Sequence, residues 1–315
     1  MIKVAVTDLE YSKAAEVFKT AEGFACLCAP TPELELANFI INNHISHVVV
    51  GGDKYRNELY EALPEGGVIA RFGVGHDGID KALANRKGLY CTNTPGVLDD
   101  SVAECAVGMM LIAARHLASC TADNKNNIWK NRVGFEISGK NMTVIGCGNI
   151  GRKVAKIVKA GFNMRVNAYD IKEPEDRTYI DKFTDDFADA VKNADFVSVH
   201  IPDIPATKDF INAERLDMMK KTAFLINTAR GNVLDENAVY DAVKSGIISG
   251  AVLDVFKTEP YVPQYPAKDL RTLDNIIMTP HIGSSTVEAC SRMAESALFN
   301  IKQCVDGHKD VMNII

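Results

Sequence analysis

The chain has 315 residues, of which 47% are hydrophobic and 24% are charged, and its formal net charge is −6 at pH 7. This length is enough for two ordinary hydrophobic cores, so we expect two globular domains. The acidic balance argues against a nucleic-acid partner, and no stretch approaches the roughly 20 apolar residues of a membrane helix. The eight cysteines show no Cys-x-x-Cys spacing. They are typical of reduced thiols, so we expect a cytoplasmic protein.

The first third of the chain alternates between short β-branched runs and amphipathic segments, the pattern of parallel βαβ units. The N-terminal residues alternate and then turn acidic, which predicts a first strand rather than a signal peptide. Strands are predicted over residues 3–7, 25–28, 47–50, 68–72 and 89–92, and helices over 32–43 and 56–63. These segments predict one small α/β domain.

In the middle of the chain, residues 101–115 would form a helix that is apolar on nearly all of its sides. This composition predicts a buried helix that links two domains. A second series of strands and helices begins at Met142, and it closes with a strand over 275–278. A last helix, predicted over 284–306, can return to the first domain.

A glycine-rich loop follows the strand predicted over 142–145 and opens the helix predicted over 149–160: Gly146-Cys147-Gly148-Asn149-Ile150-Gly151. In a dinucleotide-binding turn the first glycine permits the tight turn, and the second lets the backbone approach the pyrophosphate. The third permits close packing of helix on strand. The helix N-terminus offers free N–H groups to the phosphates. The alternative is an ordinary βα turn.

Asp170 ends the next predicted strand, nineteen residues after Gly151. A carboxylate there can accept hydrogen bonds from the adenosine ribose and repel a 2′-phosphate, so NAD is favoured over NADP. Lys172 nearby leaves NADP open, and a strand-end cap is the alternative for Asp170. Cys147 lies at a helix N-terminus, where a thiol can become redox-sensitive. For Cys147 a small packing residue is nevertheless the favoured interpretation.

Three polar residues in the second half are of the types that reduction of a keto acid requires. Arg230 follows the apolar run 223–226 at the carboxyl end of a predicted strand, where ligands bind in open α/β sheets. Its fork can bind a carboxylate through two hydrogen bonds. His281 also follows a strand and can protonate the carbonyl oxygen, while Glu259 can orient the imidazole and hold it protonated. For Arg230 considered alone, the alternative is a surface ion pair. For His281 considered alone, it is a capped loop residue.

These motifs, in this order, resemble the D-isomer-specific 2-hydroxyacid dehydrogenase family, and the resemblance covers almost the whole chain. It is carried by the glycine loop with Asp170 and by these segments: Gly73-Val74-Gly75-His76-Asp77-Gly78-Ile79-Asp80, Asn93-Thr94-Pro95-Gly96, Ser101-Val102-Ala103-Glu104, His200-Ile201-Pro202, Asn227-Thr228-Ala229-Arg230-Gly231, Leu253-Asp254-Val255-Phe256, Glu259-Pro260 and Pro280-His281-Ile282-Gly283. His76 and Gly78 depart from the residues common in the family, which leaves the substrate open.

The resemblance implies an NAD-dependent oxidoreductase that interconverts a 2-keto acid and a (R)-2-hydroxy acid. It implies that Arg230, Glu259 and His281 form the catalytic set, with His281 as the acid/base. It also implies that Arg230 and the backbone N–H groups around Val74 and Gly75 bind the substrate. Beyond the glycine loop and Asp170, the implied cofactor contacts are Ile201, Pro202, Thr207, Thr228 and Asp254, the last through the nicotinamide amide.

The implied fold class is α/β, with two doubly wound parallel-sheet domains. Residues 1–99 and 285–315 are expected to form a smaller, flavodoxin-like substrate domain, and residues 100–284 a Rossmann-type NAD domain. The substrate site is expected between them. The resemblance also implies a homodimer assembled through residues 101–121. The other expected partner is a small 2-keto or 2-hydroxy acid. We expect no nucleic-acid partner, no membrane contact and no bound metal.

The substrate stays open among glyoxylate, hydroxypyruvate, phosphohydroxypyruvate and pyruvate-like acids, with glyoxylate/hydroxypyruvate or a 3-phosphoglycerate-type substrate favoured. A formate dehydrogenase is disfavoured, because that branch of the family has glutamine where this chain has Glu259. The chain ends soon after the last predicted helix, so we expect no C-terminal regulatory domain. The alternative of another class is an NAD-sensing, corepressor-like binding protein with little turnover, which can retain the same catalytic residues.

Overall fold

The computed structural model describes residues 1–308 and 314–315, which divide into two compact units. The first unit comprises Met1–Leu98 and Ser284–Ile315, and the second comprises Asp99–Gly283. Both junctions fall one residue before the boundaries expected from the sequence. Of the expected segment 285–315, residues 309–313 lie outside the described residues.

A five-stranded parallel sheet forms the centre of the first unit. Its strands are β1 (Ile2–Thr7), β2 (Phe24–Ala29), β3 (His47–Val50), β4 (Val68–Arg71) and β5 (Tyr90–Thr92). Their order is β2-β1-β3-β4-β5, which is the flavodoxin-like order. All four residues of β3 are buried, as is typical of a strand covered on both faces.

Short helices connect these strands and cover the sheet of the first unit. They are α1 (Asp8–Lys13), α2 (Ala15–Thr20), α3 (Glu33–Asn43), α4 (Glu58–Ala62) and α5 (Lys81–Arg86). The two helices predicted from the sequence, over 32–43 and 56–63, are confirmed as α3 and α4 with ends that differ by one or two residues.

The second unit contains a seven-stranded parallel sheet. Its strands are β6 (Asn141–Ile145), β7 (Arg165–Tyr169), β8 (Lys182–Thr184), β9 (Phe196–Val199), β10 (Phe224–Asn227), β11 (Gly250–Leu253) and β12 (Ile276–Met278). Their order is β12-β11-β10-β9-β6-β7-β8. This is the Rossmann order with a seventh strand, and the chain reverses direction across the sheet between β6 and β9.

The helices of the second unit include the buried helix predicted over 101–115. They are α6 (Asp99–Ala114), α7 (Leu117–Lys125), α8 (Asn149–Phe162), α9 (Phe187–Val191), α10 (Ala213–Asp217) and α11 (Glu236–Ser245), with short 3-10 turns at Pro205–Thr207, Gly231–Val233, Pro266–Lys268 and Leu270–Thr272. α6 packs against α8 and the sheet, and most of its residues are buried. In the described ranges no single helix is long and apolar enough to cross a membrane; α6 and α7 reach that length and composition only together, across a 65° bend.

Asp195 ties together the amino ends of the three central strands of this sheet. Its carboxylate accepts hydrogen bonds from the Asn141 N–H at 2.9 Å and from the Lys220 ammonium at 2.5 Å. Its carbonyl oxygen accepts from the Phe224 N–H at 3.0 Å. Burial raises the pKa of Asp195, but these donors outweigh burial and hold it below its usual value. The hydrogen bonds of the ionised Asp195 therefore fix the relative positions of β6, β9 and β10.

The last helix, α12 (Val287–Val305), belongs to the first unit and packs on β4 and α2. It is shorter than the predicted helix over 284–306, because the Thr286 hydroxyl accepts from the Ala289 N–H and caps the helix there. Asn300 is fully buried and donates to the Asn93 carbonyl oxygen at 3.1 Å. This contact joins the helix to the segment after β5.

Candidate active site

The glycine loop joins β6 to α8, at the point where the strand order of the second sheet reverses. Gly146 has φ +97°, and a Cβ there would lie 2.8 Å from the carbonyl carbon of His200. A Cβ at Gly151 would lie 2.0 Å from the carbonyl oxygen of Gly146. At Gly148 no atom of the described residues comes within 4 Å of the Cβ position. Two of the glycines are therefore required by packing, and the third faces open space.

The residues of this loop fit the pyrophosphate of a dinucleotide. Because α8 begins at Asn149, the N–H groups of Asn149, Ile150 and Gly151 have no partner within the helix. They lie beside the open space at Gly148, at the positive end of the helix dipole. Together they form a cradle for phosphate oxygens of the kind predicted from the sequence.

Asp170 lies next to the glycine loop and is oriented by two backbone N–H groups. One carboxylate oxygen accepts from the Cys147 N–H at 2.6 Å, and the other accepts from the Ile171 N–H at 2.7 Å. Asp170 is half-buried. Each oxygen has a second lone pair that can accept from a ribose hydroxyl. The geometry fits the role that the sequence predicts for Asp170.

Cys147 is a buried packing residue of the loop. It is 7% exposed and packs with Ala168 and Ile180. Burial, assisted by the charge of Asp170, raises the pKa of its thiol to about 12. A redox-sensitive cysteine requires the opposite shift, so the structure favours the packing interpretation.

Four further predicted cofactor residues follow β9 and β10. Ile201 abuts the glycine loop, with its Cγ2 3.0 Å from the Cβ position of Gly146. The Thr207 hydroxyl donates to the Pro202 carbonyl oxygen at 2.6 Å and closes the turn after β9. The Thr228 hydroxyl is buried and has no hydrogen-bond partner in the part of the chain that the structure describes. Thr228 therefore has a donor and an acceptor that a ligand can use.

Arg230 lies in a tight turn after β10. The Asn227 side chain closes this turn, because it accepts from the Ala229 N–H at 3.0 Å and donates to the Arg230 carbonyl oxygen at 2.9 Å. The Arg230 guanidinium donates to the Ala229 carbonyl oxygen at 2.7 Å. A Cβ at Gly231 would lie 1.9 Å from the carbonyl carbon of Phe256. This turn and the segment after β11 are therefore in close contact.

Glu259 and His281 form a hydrogen-bonded pair. Glu259 Oε2 lies 2.7 Å from His281 Nδ1, and Glu259 Oε1 accepts from the Phe256 N–H at 3.0 Å. Burial raises the pKa of Glu259, but the hydrogen bond and charge of His281, with the Phe256 N–H and the Arg230 charge, hold it below its usual value. An ionised carboxylate only accepts, so Nδ1 donates. Nε2 is the nitrogen left for a substrate.

The carboxylate of Asp254 fixes the loop that carries His281. Asp254 is 1% exposed. Its Oδ1 accepts from the Thr279 hydroxyl at 2.6 Å and from the Ile282 N–H at 2.9 Å, and its Oδ2 accepts from the Gly283 N–H at 2.8 Å. Its carbonyl oxygen accepts from the His281 N–H at 2.8 Å. These bonds hold His281 at φ +53°, a left-handed conformation that is uncommon outside glycine.

Val74 and Gly75, the predicted substrate residues of the first unit, lie in the loop after β4. The Val74 carbonyl oxygen accepts from the Asn93 side chain at 2.8 Å. Arg71, which the sequence analysis missed, donates to carbonyl oxygens of this loop. The sequence feature that could have pointed to Arg71 is its position two residues before Gly73, at the start of a glycine-rich loop. Among the described residues no group of three or more His, Cys, Asp or Glu side chains can hold a metal ion.

Comparison with known proteins identifies the family of this chain. A family model described as D-isomer specific 2-hydroxyacid dehydrogenase, NAD binding domain, matches residues 107–283. The hydroxypyruvate reductase of Thermotoga maritima is 42% identical over 248 residues, which cover 78% of this chain and 80% of the relative. The chain belongs to the D-isomer-specific 2-hydroxyacid dehydrogenase family. The glyoxylate reductase of Pyrococcus horikoshii is 39% identical over 265 residues, which cover 81% of this chain and 78% of the relative.

A solved structure of this dehydrogenase family has the same fold. D-lactate dehydrogenase from Aquifex aeolicus, solved with NAD and lactic acid, is 28% identical with a TM-score of 0.84, over 99% of this chain and 98% of that one. The predicted fold class, with two parallel-sheet α/β units, is confirmed. The chain is an NAD-binding oxidoreductase of this family, as the sequence predicts.

We expect Asp254→Asn to lower the free energy of unfolding by about 2 kcal/mol, because an amide nitrogen would face N–H donors that now bind a carboxylate. The measurement is urea unfolding followed by circular dichroism. Asp274→Asn, at an exposed position of the same unit, is the matched control. Equal unfolding midpoints for the two variants would contradict the role assigned to Asp254.

Proposed function

We propose that this dehydrogenase interconverts a small 2-keto acid and the corresponding (R)-2-hydroxy acid, with glyoxylate and hydroxypyruvate as its substrates. The observation that carries the proposal is the Glu259–His281 pair, with 2.7 Å between Oε2 and Nδ1. It provides an oriented acid/base in the loop after β12. The relatives named glyoxylate reductase and hydroxypyruvate reductase support the choice of substrate class.

Each of the three polar residues has a distinct part in the proposed reaction. NADH, when bound, would supply the hydride for the carbonyl carbon. His281 donates the Nε2 proton to the carbonyl oxygen, and in the reverse direction the same nitrogen takes that proton back. Glu259 orients the ring through Nδ1 and compensates its positive charge. The Arg230 fork binds the substrate carboxylate and polarises the carbonyl group.

The backbone N–H groups of Val74 and Gly75 are proposed to bind a substrate carboxylate. In the described ranges neither N–H donates a hydrogen bond to a protein acceptor. Two adjacent backbone donors suit the two oxygens of a carboxylate. This geometry supports the assignment that the sequence resemblance implies.

The proposed cofactor is NAD rather than NADP. The Asp170 carboxylate is anchored by the Cys147 N–H at 2.6 Å, so it cannot easily turn away from the ribose position. A fixed negative charge there accepts from a ribose 2′-hydroxyl and repels a 2′-phosphate. Asp254 is proposed to contact the nicotinamide amide. Its carboxylate already accepts three hydrogen bonds, so the amide would be a further donor to the same group.

A cytoplasmic homodimer completes the proposal. The segment after α7 leaves large apolar side chains in solvent, and Trp129 is 92% and Val133 90% exposed. Apolar groups exposed together in this way are typical of a surface that a second chain covers. This supports a dimer that uses the segment adjoining residues 101–121.

We expect the enzyme to oxidise NADH with glyoxylate and hydroxypyruvate, and His281→Ala to reduce kcat by about 10²- to 10⁴-fold without weakening NADH binding. The measurement is the absorbance of NADH with a panel that also contains phosphohydroxypyruvate, pyruvate, 2-oxobutyrate and phenylpyruvate. His308→Ala, at an exposed position, is the control and should be unchanged. Tight NADH binding without turnover on any acid would favour the corepressor-like binding protein.

We expect Asp170→Asn to reduce the preference for NADH over NADPH by about tenfold, since the substitution removes a charge but keeps the shape of the side chain. The measurement is kcat/KM for both cofactors with one keto acid. Asp185→Asn, an exposed residue of the same unit, is the control. An unmodified enzyme that prefers NADPH would contradict the role of Asp170.

A further inference from the structure

The side chain of Arg71 bridges the two ends of the loop after β4. Its Nε donates to the Gly75 carbonyl oxygen at 2.8 Å, and its Nη1 donates to the Phe72 carbonyl oxygen. One guanidinium therefore binds the first and the last carbonyl group of a four-residue segment. A planar group with several donors in fixed directions can do this, whereas a lysine ammonium is a point charge on a flexible stem.

Two further donors hold the carbonyl groups between these ends. The Gly73 carbonyl oxygen accepts from the Thr94 N–H at 3.0 Å, and the Val74 carbonyl oxygen accepts from the Asn93 side-chain amide at 2.8 Å. The Asn93 carbonyl is in turn held by the buried Asn300 at 3.1 Å. All four carbonyl groups of residues 72–75 thus accept a hydrogen bond from the first unit.

Gly73 shows how closely the loop lies on the guanidinium. A Cβ at Gly73 would lie 3.0 Å from Arg71 Nη1 and 3.2 Å from Arg71 Cζ, and φ at this glycine is +140°. A side chain there would be strained by the backbone and would also contact the arginine. The guanidinium occupies the space that a side chain would need, so it supports the loop directly.

The N–H groups of Val74 and Gly75 follow from this arrangement. With the neighbouring carbonyl groups bonded to the protein, rotation of these peptide planes would break hydrogen bonds. The two N–H groups donate to no acceptor among residues 1–308 and 314–315. They are therefore held in fixed directions before a ligand arrives, which reduces the entropy lost on binding.

We propose that Arg71 is a positioning residue for the substrate carboxylate: its fork fixes the 72–75 loop so that the N–H groups of Val74 and Gly75 can bind the carboxylate together. This rests on the proposed function, which assigns the carboxylate to those N–H groups. Arg71 acts through the loop. Its effect therefore depends on the shape of the guanidinium and not on its positive charge alone.

The test compares Arg71→Met and Arg71→Lys with Arg86→Met, an exposed arginine of the same unit that serves as control. For each protein, KM for glyoxylate or hydroxypyruvate is measured at saturating NADH, and the Kd of NADH is measured separately by fluorescence. We expect Arg71→Met and Arg71→Lys both to raise KM by about 10- to 100-fold. The Kd of NADH, which concerns the second unit, should not change.

A lysine that restores the KM of the unmodified enzyme would overturn the proposal, because charge alone would then be sufficient. An unchanged KM in Arg71→Met would overturn it as well. If Arg71→Met does not fold, Arg71→Lys carries the test, since it retains the charge and most of the side-chain volume. Circular dichroism and the urea unfolding midpoint show whether a variant is folded.

Hydrogen exchange separates failure of this proposal from failure of the proposed function. The N–H groups of Phe72, Gly73 and Thr94 are hydrogen-bonded in or onto this loop. Their amide exchange, measured by mass spectrometry, should accelerate in Arg71→Met and Arg71→Lys and stay unchanged in Arg86→Met. An unmodified enzyme without turnover on any keto acid would refute the proposed function and with it the substrate role of Arg71. Unchanged exchange in both Arg71 variants, with normal turnover in the unmodified enzyme, would refute the loop clamp alone.

Discussion

The buried carboxylate of Asp254 is the constraint on which the candidate active site depends. It accepts hydrogen bonds from Thr279, Ile282 and Gly283, on both sides of His281. The left-handed backbone at His281 is held by these bonds, and it brings Nδ1 to Glu259. Because Nδ1 is hydrogen-bonded to that carboxylate, Nε2 is the nitrogen that the proposed reaction uses. Hydrogen bonds that start from the sheet thus fix the orientation of the ring.

The parallel sheet explains why residues far apart in the sequence come together. The glycine loop, Arg230 and His281 follow β6, β10 and β12, and the carboxyl ends of parallel strands lie at one edge of a sheet. Asp195 fixes the opposite edge of the central strands. The site in this unit is therefore a consequence of strand direction combined with a few side chains that bind backbone groups.

Local patterns were sufficient to predict the five strands of the first unit, the glycine loop after β6 and the position of Asp170 after β7, because the spacing of these features reflects short-range geometry. The end of a helix was less predictable: α12 begins after Thr286, where a single hydroxyl binds an N–H. The side-chain hydrogen bonds of Asp254 and Arg71 could not be predicted, since neither periodicity nor composition specifies where a side chain points. For Cys147 the sequence favoured a small packing residue, and its burial in the structure favours the same interpretation.

The configuration of the product tests the central claim most directly. The enzyme is incubated with hydroxypyruvate and NADH, and the glycerate that forms is resolved by chiral chromatography. A site that binds the keto acid in one orientation should give one enantiomer, and the family assignment requires it to be (R). Glycerate of (S) configuration, or a racemic product, would contradict the account.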